Sequence, residues 1–273
     1  MPKTNTTASP YWLKQIRPLW LREKLFWHFY AMRPEIAPSL FEAAPLLFAH
    51  NVRMKLQPSD IGHRQIACLG YVERNLSRTI ARHAANGGLL VDVGANYGYF
   101  TCLWAGASQA NRAVSFEASP RNLAGLRHNV SLNGLESKVT VAPKAAGVAP
   151  GTMQFSLGPT DQTGWGGLAN QADDNSVSVE VTSLDDYFKD STEPIAVLKV
   201  DVEGADTWVI EGAAGLLREG RIGHIFFEQN RARMAALGIP AARAFEFLRE
   251  CGYSVTALSD EACYACLRDR AEK

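Results

Sequence analysis

No stretch of about 18 consecutive apolar residues occurs in this sequence, which excludes a membrane-crossing helix of ordinary length. The first residues lack the apolar core of a secretory signal, because the run Leu25–Met32 is short and contains His28. Only five cysteines are present, at 68, 102, 251, 263 and 266. An odd, scattered set without a secretory signal argues against a disulfide framework and leads us to expect a reducing, cytoplasmic setting. Charge of neither sign is in excess, with Lys+Arg and Asp+Glu both at 28, so no global polycation argues for nucleic acid. Repeats and low-complexity segments are also missing. With 47% hydrophobic and 21% charged residues, the 273-residue chain is neither disordered nor collagen-like. At about 100–200 residues per domain it holds one large domain, or one domain plus an extension.

What is present is unevenly placed. Residues 1–88 carry 12 Lys/Arg and 5 Asp/Glu, a net of +7, and residues 89–273 carry 16 and 23, a net of −7. Residues 1–10 are polar and are expected to fray. From Tyr11 to Tyr30, Trp12, Trp20, Phe26, Trp27 and Phe29 alternate with Lys14, Arg17, Arg22 and Lys24. Pro34, Pro38, Pro45 and Pro58 then divide the chain, and a helix is predicted from about Tyr71 to Ala85, stopped by Asn86-Gly87-Gly88. Residues 1–88 therefore read as a mainly helical, basic and aromatic extension. The stretch 11–30 fits a cover packed on the acidic part, a peripheral membrane helix or an oligomer contact. Packing is the expected use, since exposed clusters of Trp and Phe are costly.

After Gly88 short apolar runs alternate with helical patterns. Strands are expected at Leu89–Val93, Ala113–Glu117, Val139–Ala142, Ile195–Asp201 and Ile222–Glu228. Helices between them follow Gly98, Ser119-Pro120, Asp201 and Pro240. A single helix carries Trp208 through Leu217, the stretch from about 150 to 190 is a β-rich excursion, and Tyr253–Leu258 with Ala262–Leu267 form a closing hairpin. Residues 89–273 thus read as an α/β domain: a doubly wound, Rossmann-like and mostly parallel sheet of about seven strands, with one antiparallel strand at or near an edge.

In such sheets ligands bind beyond the carboxyl ends of the strands, at the topological switch point. Four strand ends deliver carboxylates to that rim: Asp92, Glu117, Asp201 with Glu203, and Glu228. The turn Gly94-x-Asn96-x-Gly98 follows the first strand and opens a helix, and its glycines let the backbone approach a ligand. Glu117, 23 residues beyond Gly94, is placed to accept both hydroxyls of a ribose. A dinucleotide fingerprint needs glycines at 94, 96 and 99, where this chain has Gly94, Asn96 and Tyr99. A pyrophosphate would also meet Asp92, whereas a cationic sulfonium suits an acidic rim. The expected cofactor is therefore S-adenosylmethionine (SAM).

The blocks Val91-Asp92-Val93-Gly94-Ala95-Asn96-Tyr97-Gly98, Phe116-Glu117-Ala118-Ser119-Pro120, Asn129 with Leu132-Asn133-Gly134, Ser183-Leu184-Asp185 and Leu198-Lys199-Val200-Asp201-Val202-Glu203-Gly204-Ala205 occur in one order over about residues 88–230. In that order they resemble the successive motifs of FkbM-type methyltransferases. The resemblance implies SAM-dependent O-methylation of a hydroxyl on a sugar, glycolipid or natural product, a small-molecule or saccharide acceptor rather than a nucleic acid. Residues 1–88 carry no such motif.

Methyl transfer to a hydroxyl needs in-line placement and a group to take the proton. Asp201 is expected as base or substrate anchor, with Glu203 and Glu228 helping and Lys199 tuning a neighbouring acid. A divalent cation on the same three carboxylates is a second reading. A nucleic-acid methyltransferase and a non-catalytic SAM-binding protein are the alternatives. Against the first, Asp201-Val202-Glu203-Gly204 stands where an Asn/Asp-Pro-Pro-aromatic tetrad would be. Cys263-x-x-Cys266 lacks the second pair of a zinc site and, on a strand, points its thiols to opposite faces. His224 starts its strand, away from the rim, and is expected to be structural. Trp165, in a glycine-rich loop, is either a lid or the pin of a surface loop.

Overall fold

The computed structural model describes residues 10–31 and 38–268. Residues 1–9, expected to fray, and Pro34 lie outside the described residues. The N-terminal part runs from a 3-10 turn (Pro10–Gln15) through α1 (Leu19–Phe29), α2 (Ser39–Glu42), a ribbon of β1 (Ala44–Pro45) and β2 (Arg53–Met54), α3 (Ile61–Leu69) and α4 (Arg74–Ala84). It is mainly helical, as expected. Asp60 caps α3 by accepting the His63 amide at 2.9 Å, and Gly70 ends it in the left-handed region. The expected helix from Tyr71 begins only at Arg74, because the chain must reverse between α3 and α4, and Glu73 makes that turn at a φ of 42°.

The rest alternates. In chain order come β3 (Gly88–Val93), α5 (Tyr99–Ala107), β4 (Asn111–Phe116), α6 (Pro120–Leu132) and β5 (Val139–Ala142). The excursion follows as β6 (Ala145–Ala146), β7 (Gly151–Ser156), β8 (Gly167–Ala169), β9 (Ser176–Thr182) and α7 (Leu184–Tyr187). Then come β10 (Ile195–Val200), α8 (Asp206–Glu211), α9 (Ala214–Arg218), β11 (Ile222–Glu228), α10 (Arg231–Leu237), α11 (Arg243–Glu250), β12 (Tyr253–Ala257) and β13 (Ala262–Leu267). Seven strands form the main sheet in the order β12-β13-β11-β10-β3-β4-β5, and only β13 runs against the others. The antiparallel strand is therefore next to an edge. The excursion closes a second, four-stranded sheet, β6-β9-β7-β8.

The strand order reverses between β3 and β10, which places the switch point there. Their register sets Lys199 directly opposite Asp92. One buried cluster joins Phe26, Phe41 and Tyr71 of the N-terminal part to Leu90, Trp104 and Phe226, so that part packs on one face of the sheet. A second cluster fills the other face beneath α8, α9 and α11.

Two expectations are corrected. The helix predicted across Trp208–Leu217 is two helices, broken at Gly212. A Cβ there would stand 1.9 Å from the Gly147 carbonyl, so the excursion needs a gap in the side-chain surface. Asp185 then caps the new start of α9, accepting the Gly215 and Leu216 amides at 2.7 and 3.0 Å. The packing expected of the aromatic stretch holds for only some of its residues. Leu13 and Phe26 are buried, but Trp12, Trp20, Trp27 and Phe29 remain exposed.

Candidate active site

At the switch point the first layer is a charge triad built around buried Lys199. Lys199, 3% exposed, places its Nζ 3.0 Å from Asp201 Oδ2, 3.8 Å from Asp92 Oδ1 and 5.2 Å from the centre of the Phe100 ring. Burial opposes its charge, but Asp201, Asp92 and Glu73 together outweigh this and hold its pKa above the ordinary lysine value. Asp92 is fully buried; its Oδ2 accepts from the Thr101 hydroxyl at 2.6 Å. Burial raises the Asp92 pKa, while Lys199 and the Thr101 bond oppose that rise.

The glycine turn is also constrained by neighbouring chain. A Cβ on Gly94 would lie 1.9 Å from the Asp201 carbonyl oxygen, at a φ of 80°, and one on Gly98 would lie 2.5 Å from Leu126 Cδ1, at 81°. Neighbouring chain therefore constrains both glycines, and Gly94 also lines the two spaces described below. Between them Asn96 sits at a φ of 50°, held by its own Oδ1 accepting the Tyr97 amide at 2.7 Å. Glu117 accepts the Asn96 amide at 2.6 Å with Oε2 and the Ser119 amide at 2.7 Å with Oε1. Burial nevertheless pushes its carboxyl up to about 7.

A cleft of about 70 Å³ lies over these strand ends. Its walls include apolar Val93, Phe116, Ala146, Phe155 and Leu168, together with Glu117 and Asn122. Asn122 is 3% exposed, and its Oδ1 has no hydrogen-bond partner. A buried acceptor left open inside an apolar cleft calls for a donor on a ligand. Apolar walls, one open acceptor and a carboxylate at the end of the second strand are features that a nucleoside would use.

Beyond Gly94 a cavity of about 300 Å³ opens, which shares Gly94, Asn96, Gly164 and Asp201 with the cleft. The expected residues Lys199, Asp201, Glu203 and Glu228 all line it, whereas Asp92 and Gly98 lie behind the walls of both spaces. Glu203 takes the left-handed conformation (φ 56°) and is held by Asn230 Nδ2 at 3.1 Å and Arg233 Nε at 3.7 Å. Burial and Asp201 raise its pKa, against Arg233. Burial, with Asp201 and Glu73 adding like charge, pushes Glu228 up to about 8. Behind it Asp206 ties the loops together by accepting the Glu228 amide at 3.0 Å.

Three titratable residues from the N-terminal part line the cavity, and the sequence reading did not single out any of them. Asp60 grips the excursion, its Oδ2 accepting the Thr163 amide at 2.6 Å and hydroxyl at 2.8 Å. His63 accepts the Gln57 amide on Nδ1 at 3.1 Å, so its neutral ring carries the proton on Nε2; burial lowers its pKa. Glu73 faces Lys199, Asp201 and Glu228, and burial pushes its carboxyl up to about 7. Among the described residues, the three non-glycine positions with left-handed φ are Glu73, Asn96 and Glu203, and all three line this cavity. Such strain persists only where the surroundings impose it, and it concentrates at working sites. Asp60 carried a readable signal as a helix cap; Glu73 carried none.

Trp165, half exposed, lines the cavity, and its carbonyl accepts from Arg233 at 2.7 Å. Among the described residues no group of three or more His, Cys, Asp or Glu is placed to hold a metal ion, Asp201, Glu203 and Glu228 included. Cys263 and Cys266 are buried free thiols. The ring of His224 stands 4.1 Å from His83, with Nδ1 2.8 Å from the Tyr264 hydroxyl, at the amino half of β11 away from the rim. No helix among the described residues is long and apolar enough to cross a membrane.

Residues 92–255, more than half of the chain, match the family model for the methyltransferase FkbM domain. No curated protein matches the sequence. Solved structures similar to the chain include a methyltransferase FkbM from Methylobacillus flagellatus KT, at 12% identity over 83% of this chain and 57% of that one, with a TM-score of 0.44. They also include an O-methyltransferase from Bacillus cereus in complex with SAH, at 16% identity over 72% of this chain and 83% of that one, TM-score 0.44. A third is the SAH-bound methyltransferase PaMTH1 from Podospora anserina, at 11% identity over 73% and 80%, TM-score 0.43. The chain thus spans little more than half the length of the Methylobacillus protein.

Proposed function

Because the chain belongs to the FkbM methyltransferase family, we propose that it transfers the methyl group of SAM to a hydroxyl oxygen of a small-molecule or saccharide acceptor. One observation carries this reading: an apolar cleft with an open buried acceptor and a carboxylate-lined cavity meet at Gly94, Asn96 and Asp201. One space suits a nucleoside, the other a polyhydroxylated acceptor, and the contact between them is where a methyl group would cross.

When bound, SAM supplies an electrophilic methyl group on a positively charged sulfur. The residues do the rest. Glu117 and Asn122 would hold the nucleoside. Asp201, kept in place by Lys199, anchors the acceptor hydroxyl at the junction of the two spaces. Glu228 takes the proton as the new oxygen–carbon bond forms and the sulfur–carbon bond breaks. A carboxyl lifted to about 8 is a stronger base than an ordinary glutamate and is still ionised in a useful fraction near neutrality. This reassigns the base from Asp201, whose carboxylate is committed to Lys199 at 3.0 Å.

Calorimetry with SAM and NAD side by side tests the cofactor. SAM is expected to bind, with the affinity reduced in Glu117→Ala, and NAD to give no heat. Binding of NAD alone would defeat the reading.

A further inference from the structure

Eight large hydrophobic side chains are exposed among the described residues, and four of them fall within 18 positions of the N-terminal part: Trp12, Trp20, Trp27 and Phe29. Trp20 and Trp27 are 57% and 54% exposed. With Lys24 they follow the i, i+4, i+7 spacing that shares one helix face. Arg17 and His28, also exposed, border that face, whereas Arg22 and Phe26 on the opposite side of α1 are buried. No acid stands on the outer face. Glu23 at its margin is held by Arg74 at 3.4 Å.

We propose that this face of α1 docks the protein on an anionic phospholipid surface. Indole rings suit the headgroup layer, where the apolar ring is buried and the N–H stays wet. Lys24 and Arg17 add attraction to anionic lipid, and the whole N-terminal part carries the positive excess that such a surface draws in. A second copy of the chain is a poorer occupant. A twofold contact would bring Arg17 and Lys24 against their own copies, with no acid on the face to offset them. A bare cluster of tryptophans in water is costly, which a lipid surface relieves.

The position of the face adds a consequence that rests on the methyl-transfer reading. A cavity of about 630 Å³, continuous with the site through Glu73, Lys199, Asp201 and Glu228, is bordered by Glu23. Glu23 lies three residues after Trp20 and four before Trp27, so the opening stands beside the docking face. Exposed Leu258 borders the same cavity. The acceptor hydroxyl would then belong to a lipid headgroup presented at the membrane.

The test is cosedimentation of the full chain with vesicles of phosphatidylcholine alone and of phosphatidylcholine mixed with phosphatidylglycerol. The mixed vesicles are expected to carry the protein down. Trp20→Ser with Trp27→Ser should weaken this by about tenfold or more. Arg17→Glu with Lys24→Glu should abolish the preference for the anionic vesicles, with the thermal midpoint of both variants unchanged. Wild-type protein that stays in the supernatant with the mixed vesicles overturns the proposal. So does a tryptophan variant that pellets like wild type, or a wild-type dimer in sedimentation velocity that this variant converts to monomer. The sedimentation readout needs no turnover, so it stands or fails independently of methyl transfer.

Discussion

The sheet-forming part of the chain is shaped by its own apolar runs, whereas the N-terminal part is shaped by what it leans on. β10 is buried along most of its length, and its residues read as a strand in any context. The segments before Gly88 are short, divided by proline, and owe their place to one shared cluster around Phe26, Phe41 and Tyr71. The contrast extends to the site. The sheet supplies Lys199, Asp201 and Glu228 from strand ends, and the N-terminal part supplies Asp60, His63 and Glu73 from a helix cap, a first turn and a strained reversal. The difference shows that a site on a standard sheet is finished by elements with little fold signal of their own.

The largest effect that would sharpen this contrast is in the sheet. Gly94→Ala forces a Cβ into the Asp201 carbonyl and should cost about 4 kcal/mol or more, read as a fall in the urea midpoint or as insoluble expression. Next, Glu228→Gln should lower kcat by about 100-fold while SAM affinity by calorimetry stays at the wild-type value. Unchanged turnover would remove Glu228 as the base. On the N-terminal side, Asp60→Ala loses a helix cap and leaves the Thr163 amide unpaired. It should cost about 2 kcal/mol and expose the 159–166 loop to protease. If stability and loop protection survive, the N-terminal part does not clamp the excursion.

A smaller effect joins the two regions. Glu73 and Glu228 keep protons in the folded state that the unfolded chain releases near the ordinary glutamate value of 4.5. Their raised values therefore add stability that is complete below about 4.5 and is lost as pH climbs through about 7 and about 8. The thermal midpoint should fall across that window. Glu73→Gln removes one like charge, so part of that fall should vanish, and the acid limb of kcat/KM should move down by about one pH unit. An unmoved limb would separate the two carboxyls. The smallest effect is Trp20→Ser, expected to change stability by less than about 0.5 kcal/mol because the ring is exposed.

Much of the site was legible because strand ends are legible. Lys199, Asp201, Glu203 and Glu228 stand at or just beyond apolar runs and do share one cavity. The glycines at 94 and 98 were readable as requirements, but the reason lay in Asp201 and Leu126, far away in sequence. The break at Gly212 was hidden because the helical pattern runs through it, and the carbonyl that leaves no room for a side chain there belongs to Gly147. Glu73 fell inside the helix predicted from Tyr71; its left-handed turn and its approach to Lys199 depend on α3 and α4 packing on the sheet.

Residue order alone determined the alternation of strands and helices, the acidic rim and the opposite charges of the two parts, because burial period and turn residues act locally. Tertiary structure decided which carboxyls share a cavity and which are locked to Lys199. It also decided which half of an aromatic helix is left facing outward. Those outcomes depend on distances between segments remote in sequence, and a side chain's solvation and proton affinity follow from its neighbours in space.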